Sequence, residues 1–135
     1  MSVKLKQVTV DALAPADFAA WRHLARGYKA FYRTELPDAA FALAWRRLAE
    51  ADRLFAWAAR VDSQLVGIVH FLFHPSTWSD DVCYLQDLFV DEGSRGQGIG
   101  GMLIARVAQS ARERGASRLY WLTHTSNVHA RQLKT

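Results

Sequence analysis

The stretch that most constrains this chain is the apolar run Val82 to Val90, followed after a short acidic turn by Arg95-Gly-Gln-Gly-Ile-Gly100. The run predicts a buried strand. Beyond Gly98, Ile99, Leu103, Val107 and Ala111 recur at four-residue spacing, and Met102, Ile104 and Ala108 widen the stripe into the apolar face of a helix. Arg112 and Arg114 suit the last turn of that helix and Gly115 a left-handed cap. A strand that delivers a glycine-rich turn to a helix start leaves N–H groups without intrahelical acceptors, at the end of the dipole that favours negative charge. The turn is a candidate cradle for a phosphate or pyrophosphate. Glycine would let the backbone approach such a ligand, although it also serves tight turns that hold nothing.

The remaining elements can be placed around this unit. Val3 to Val10 alternates as a strand does, and Pro15 can open a helix carrying Phe18, Trp21, Leu24, Tyr28 and Phe31 at helical spacing. A second helix follows Pro37 with Phe41, Ala44, Trp45 and Leu48. Leu54 to Val61 and Gln64 to Phe73 are predicted strands joined by a two-residue hairpin at Asp62-Ser63. After the glycine turn and its helix come a strand over Ser117 to Leu122 and a last helix, capped by Ser126 or Asn127, running through Leu133. The expected fold is a single α/β domain over 1–135, a mixed, largely antiparallel sheet flanked by helices.

With 50% hydrophobic residues and 22% charged ones, the chain suits one folded core. Its single cysteine, Cys83, lies in the apolar run, which excludes an internal disulfide and fits a buried residue in a reducing compartment. Met1 to Lys6 has no apolar segment behind its lysines, and no run reaches the length of a membrane span, so a cytoplasmic protein without a membrane partner is expected. Residues 1–94 hold 10 basic and 12 acidic side chains, against 7 and 1 in 95–135. Those arginines are spaced along a helix rather than clustered with aromatics, which fits a small polyphosphate ligand or a solvated helix face better than a nucleic acid.

Three ligand patterns compete for the glycine turn. A Walker A loop fails because no Lys-Ser or Lys-Thr follows the glycines. The dinucleotide pattern is met by Gly96, Gly98 and Gly101, but five residues separate Val90 from Gly96 and no acidic residue follows Glu113 to hold a ribose. The third, Arg/Gln-x-x-Gly-x-Gly/Ala, is met by Arg95, Gly98 and Gly100. Here the chain resembles the GCN5-related N-acetyltransferase (GNAT) superfamily. Tyr84-Leu-Gln-Asp-Leu-Phe-Val-Asp91 is similar to that family's fourth strand, Leu119-Tyr-Trp-Leu122 to its fifth, and Asn127-Val-His-Ala130-Arg-Gln-Leu133 to an Asn-x-x-Ala-x-x-Leu helix. The wording of 84–133 is closest to the yeast-type histone and polyamine acetyltransferases.

The resemblance implies direct transfer of acetyl from acetyl-CoA to a primary amine, such as a polyamine or a lysine side chain, in a cleft where the fourth and fifth strands part. It implies that main-chain groups of Leu88, Phe89 and Val90 hold the pantetheine arm. Amides of Gly96, Gln97, Gly98, Ile99, Gly100 and Gly101 would hold the pyrophosphate, with charge from Arg95 and a contact from Asn127. Asp87, an acid inside an apolar run, is the candidate general base, with a structural anchor as the alternative. Related polyamine acetyltransferases carry a Glu where Gln86 stands here, and regular strand alternation would turn Gln86 and Asp87 to opposite faces.

In the family a proton-donating Tyr follows the Leu of that helix and two further strands come after it. Here Lys134 and Thr135 follow Leu133, so the sequence reads as C-terminally truncated, lacking those strands, and as expected to associate into a homo-oligomer such as a dimer. A weakly catalytic acyl-CoA-binding domain whose sheet a partner chain completes is the alternative. Tyr28, Tyr32 and Glu35, near the first helix–helix connection, are candidates to hold a cationic amine, against a plain core role for Tyr28 and Phe31. His70 and His74 would lie about 13 Å apart along a strand, too far to share a metal, and no metal is predicted.

Overall fold

The computed structural model describes residues 7–31 and 33–122, together with the backbone of a strand at 128–132. Its strands are β1 (Val8–Asp11), β2 (Phe55–Val61), β3 (Gln64–His74), β4 (Val82–Val90), β5 (Arg118–Leu122) and β6 (Val128–Gln132). Its helices are α1 (Phe18–Phe31), α2 (Asp38–Glu50) and α3 (Ile99–Glu113). The strands form one sheet in sequence order, antiparallel throughout except where β5 runs parallel to β4. This is the mixed, largely antiparallel sheet that the sequence predicts. No helix of the described residues is long and apolar enough to cross a membrane.

Each face of the sheet is covered by helices whose apolar stripes were visible in the sequence. Ile99, Leu103, Val107 and Ala111 of α3 are all buried, against Val69, Phe71, Cys83, Leu85 and Leu119 of the sheet. On the other face Trp21, Leu24 and Ala25 of α1 and Phe41 of α2 pack on Ala58, Leu65 and Ile68. Phe31, expected to continue the α1 stripe, is instead 65% exposed, because it falls at the last residue of the helix, beyond the turns that pack on the sheet. Asp62 and Ser63 carry φ of 49° and 71°, the two left-handed residues of a tight hairpin between β2 and β3.

The segment preceding α1 is fastened by one arginine. Arg60 of β2 donates to both carboxylate oxygens of Asp17 at 2.7 and 2.8 Å, and to Asp11 Oδ1 at 2.9 Å. A planar guanidinium matches a carboxylate in this two-bond fashion, so the fork fixes orientation as well as position.

One expected element is corrected. The helix predicted from Ser126 or Asn127 to Leu133 is replaced over 128–132 by β6, which pairs with β5 from Arg118↔Gln132 to Leu122↔Val128. A short helix has a costly nucleus, whereas the outer edge of β5 offers a row of backbone donors and acceptors that a strand satisfies at once.

Candidate functional site

The site is built where β4 leaves its neighbour β5. The two strands pair only at Cys83↔Leu119 and Tyr84↔Tyr120, whereas β3 accompanies β4 as far as Gly67↔Val90. From Leu85 to Val90, then, one edge of β4 is taken by β3 and the other has no strand partner among the described residues. Leu88, Phe89 and Val90 lie on this open stretch. Leu88 and Val90 turn their side chains toward α3, and Phe89 turns toward α1 and α2.

Beyond Val90 a short 3-10 turn, Glu92–Ser94, leads into the glycine turn. Gly96 and Gly98 both adopt left-handed backbone, with φ of 82° and 75°, and α3 starts at Gly98 without any side-chain cap. The first amide bonded into the helix is that of Met102, to Gly98 O at 3.1 Å. The N–H groups of Gly96, Gln97, Gly98, Ile99, Gly100 and Gly101 have no backbone acceptor among the described residues. A Cβ added at Gly96 or Gly98 would meet nothing within 4 Å, so the approach to these donors is open. An anion with several oxygens fits this set of donors. Arg95 folds back over β4: its Nε donates to Val90 O at 3.2 Å and its guanidinium lies 5.6 Å from the Phe89 ring centre. Asn127, the remaining expected cofactor contact, lies outside the described residues, as does Tyr32.

On the α1 side of β4 lies a cavity of about 300 Å³. Its walls include Trp21, Tyr28, Phe41, Ile68 and Phe89, and its polar groups are His70, Gln86 and Asp87 with Lys29 and Arg47. A larger cavity of about 600 Å³ lies against Phe55 to Trp57 and α2, and it contains no residue of β4 or of the glycine turn. Of the three expected acceptor residues, Tyr28 lines the smaller cavity; Glu35 is exposed in the connection before α2, where Leu36 forms the wall instead.

Gln86 and Asp87 are not on opposite faces, as regular alternation predicted. His70 pairs with Asp87 but Phe71 with Leu85, so Gln86 is an extra, unpaired residue in β4. Such a bulge shifts the alternation by one, and both side chains reach the same cavity. Asp87 Oδ2 lies 2.9 Å from His70 Nδ1. Burial pushes the Asp87 carboxyl up, but the bond from His70, the nearby Lys29 charge and the Tyr28 hydroxyl outweigh it and hold the group below the usual carboxylate range.

The two histidines weighed as metal ligands belong to separate networks. His70 joins Asp87 and Trp21, while His74 bonds Pro75 O and the Tyr120 hydroxyl, both at 2.9 Å. Tyr120 stacks on Tyr84 at 4.8 Å where β4 and β5 begin to part. No local sequence pattern marks Trp21 or His70 as a site residue. The signal that finds them is cross-strand: an acid in β4 opposite a histidine in β3, visible only once the bulged register is known.

An open strand edge, an uncapped glycine turn at its end and a small polar-floored cavity beside it form a two-substrate arrangement, suited to a phosphate-bearing donor and a compact acceptor. The comparisons define its class: residues 18–133 match the Acetyltransferase (GNAT) family, and the chain belongs to it. It is 31% identical over 133 residues to the D-amino-acid N-acetyltransferase HPA3 of Saccharomyces cerevisiae, a match covering 96% of this chain and 83% of that protein. A thialysine N-epsilon-acetyltransferase of Bos taurus is 42% identical over 55 residues, 41% of this chain and 32% of that enzyme. Among solved structures, the aminoglycoside N-acetyltransferase AAC(6')-Iy in complex with CoA shares the fold with a TM-score of 0.80 at 20% identity, covering 91% of this chain and 81% of that one.

Proposed function

We propose that this acetyltransferase moves the acetyl group of acetyl-CoA to the primary amine of a small zwitterionic acceptor, an amino acid with an apolar or extended side chain. The observation that carries the acceptor class is the charge set of the cavity. Asp87 is the one carboxylate among the described residues that line it, and Lys29 and Arg47 line the same space. An amino acid can satisfy both signs at once, with its side chain against Tyr28, Phe41 and Phe89. A polyamine or a lysine-bearing peptide places further positive charge beside Lys29 and Arg47, which costs binding. The D-amino-acid acetyltransferase relative supports this choice.

Acetyl-CoA supplies a thioester whose carbonyl carbon accepts the amine lone pair; the C–N bond forms, the C–S bond breaks and the sulfur leaves as thiolate, which takes up a proton. In this reading the amides of 96–101 hold the pyrophosphate, and Leu88 to Val90 bind the pantetheine arm along the free edge of β4. Asp87 anchors the incoming ammonium. It is poorly suited as the base: moving a proton from an amine of pKa ~10 to a carboxylate below ~3.9 is uphill by more than roughly 8 kcal/mol. The proton leaves to water instead, and the rate rises with pH toward the pKa of the amine.

The test is CoA release measured with a panel of D- and L-amino acids, thialysine, spermidine and a lysine peptide. Preference for an amino acid, with a raised amine KM and an unchanged acetyl-CoA KM in Asp87→Asn, is expected. Faster turnover of spermidine overturns the acceptor assignment. Stabilisation by acetyl-CoA without turnover of any amine would instead identify an acyl-CoA-binding domain.

A further inference from the structure

Asp87 stands at the end of a chain of three side chains drawn from three elements. Trp21 Nε1 of α1 donates to His70 Nε2 of β3 at 3.0 Å, and His70 Nδ1 lies 2.9 Å from Asp87 Oδ2 of β4. An indole N–H only donates. Nε2 is therefore the acceptor, the ring proton sits on Nδ1, and Nδ1–H donates to the carboxylate. Hydrogen-bond direction alone selects one tautomer of a neutral imidazole. Trp21 is 1% exposed, so its N–H needs a buried acceptor. That need does not explain why the acceptor in turn faces the one carboxylate that lines the cavity among the described residues.

We infer that Trp21 and His70 are positioning residues for acetyl transfer: the indole fixes the His70 tautomer, and the imidazole N–H holds one oxygen of Asp87 so that its remaining lone pairs face the acceptor ammonium. This role rests on the cavity being the acceptor site. Free to rotate, the carboxylate would meet the ammonium in many geometries, and fixing it beforehand removes that ordering cost from binding. The other titratable or charged groups around the His70–Asp87 pair are Tyr28, whose hydroxyl also donates to Asp87, and Lys29 on α1, Arg47 on α2 and Tyr84 on β4.

Nitrogen NMR of the full chain labelled with ¹⁵N-histidine reads the tautomer directly, with the His70 signals identified by their loss in His70→Asn. A ring protonated at Nδ1 and bare at Nε2 near neutral pH is expected; an Nε2–H ring overturns the inference without any activity measurement. Trp21→Phe keeps the packing ring and removes the donor, and the His70 signals should then show both tautomers. In kinetics, His70→Leu should raise the amine KM about tenfold, the loss of one charge-assisted hydrogen bond, and leave the acetyl-CoA KM unchanged. His70→Asn, which restores an N–H near the Nδ1 position, should recover most of that loss. If Asp87→Asn raises the amine KM and His70→Leu does not, the positioning role fails. If Asp87→Asn changes nothing, the acceptor site itself is misplaced.

Discussion

Helix α3 begins and ends on a glycine in the same backbone state. Gly98 has φ of +75° and Gly115 of +78°, and a Cβ built at either meets no atom within 4 Å. Replacing either by alanine therefore costs the left-handed conformation and no clash, about 1–2 kcal/mol in both cases. For 135 residues the entropy of unfolding is about 0.28 kcal/mol/K, so each variant should lose roughly 4–7 °C in Tm. Their ligand behaviour should part. Gly115 caps the far end of the helix, bonding Arg112 O, and touches no part of the candidate site. Gly98 lies in the middle of the free amides, and relaxation of its backbone away from left-handed geometry turns its neighbours off a bound pyrophosphate. Losing one charge-assisted bond of about 1.5–3 kcal/mol weakens binding about tenfold to a hundredfold. Thermal unfolding without ligand and calorimetric titration with CoA measure the two effects separately. Equal loss of Tm in both variants, with weakened CoA binding only in Gly98→Ala, is expected. CoA affinity in Gly98→Ala within twofold of the parent protein would refute the pyrophosphate cradle.

Two further outcomes concern the scaffold. Hydrogen bonds from Arg60 hold the Asp17 carboxyl below its ordinary value despite its burial, so its contribution to stability is complete above ~3.9 and is lost as pH falls through the lowered value. Asp17→Asn should then cost about 1–3 kcal/mol in urea unfolding at pH 7, with the gap to the parent closing in strong acid; an equal gap at both pH values would show that charge is not the cause. Burial pushes the Cys83 thiol up to about 12, so the native protein should resist iodoacetamide at pH 8 and react readily in denaturant. Rapid modification of the folded chain would contradict its place under α3.

Much of the fold follows from local pattern. The α3 stripe, its two glycine ends and the hairpin at Asp62-Ser63 are short-range features, and the bounds Val82 to Val90 were readable from an unbroken apolar run. The end of the chain was not: β6 depends on a free edge of β5 that no local window contains, and its own sequence permits a helix. In the site, the glycine turn was legible because its chemistry is written consecutively. The acceptor side was legible only in part. Tyr28 and Asp87 were found as isolated residues, but the cavity they share is closed by side chains from α1, α2 and β3, such as Trp21, Phe41 and His70, which only the folded chain brings together. The bulge at Gln86 then reversed an expectation taken from ideal alternation.

That bulge gives β4 two separate frames. Upstream of Gln86 the facing of each side chain is set by the core under α3, since Cys83 and Leu85 are buried there; downstream, the facing of Leu88 to Val90 is set one step out of phase. Position 86 belongs to neither frame, so its side chain can be exchanged without rephasing the core or the strand edge beside the glycine turn. A single-residue deletion there would merge the two frames into one regular alternation in which Leu85 and Leu88 still face α3 and Asp87 and Phe89 still face the cavity, so that only the Gln86 side chain is lost. Substitution and deletion at this one site should thus have kindred characters, the first retuning which acceptor fits and the second emptying the Gln86 position while the rest of the site keeps its facing.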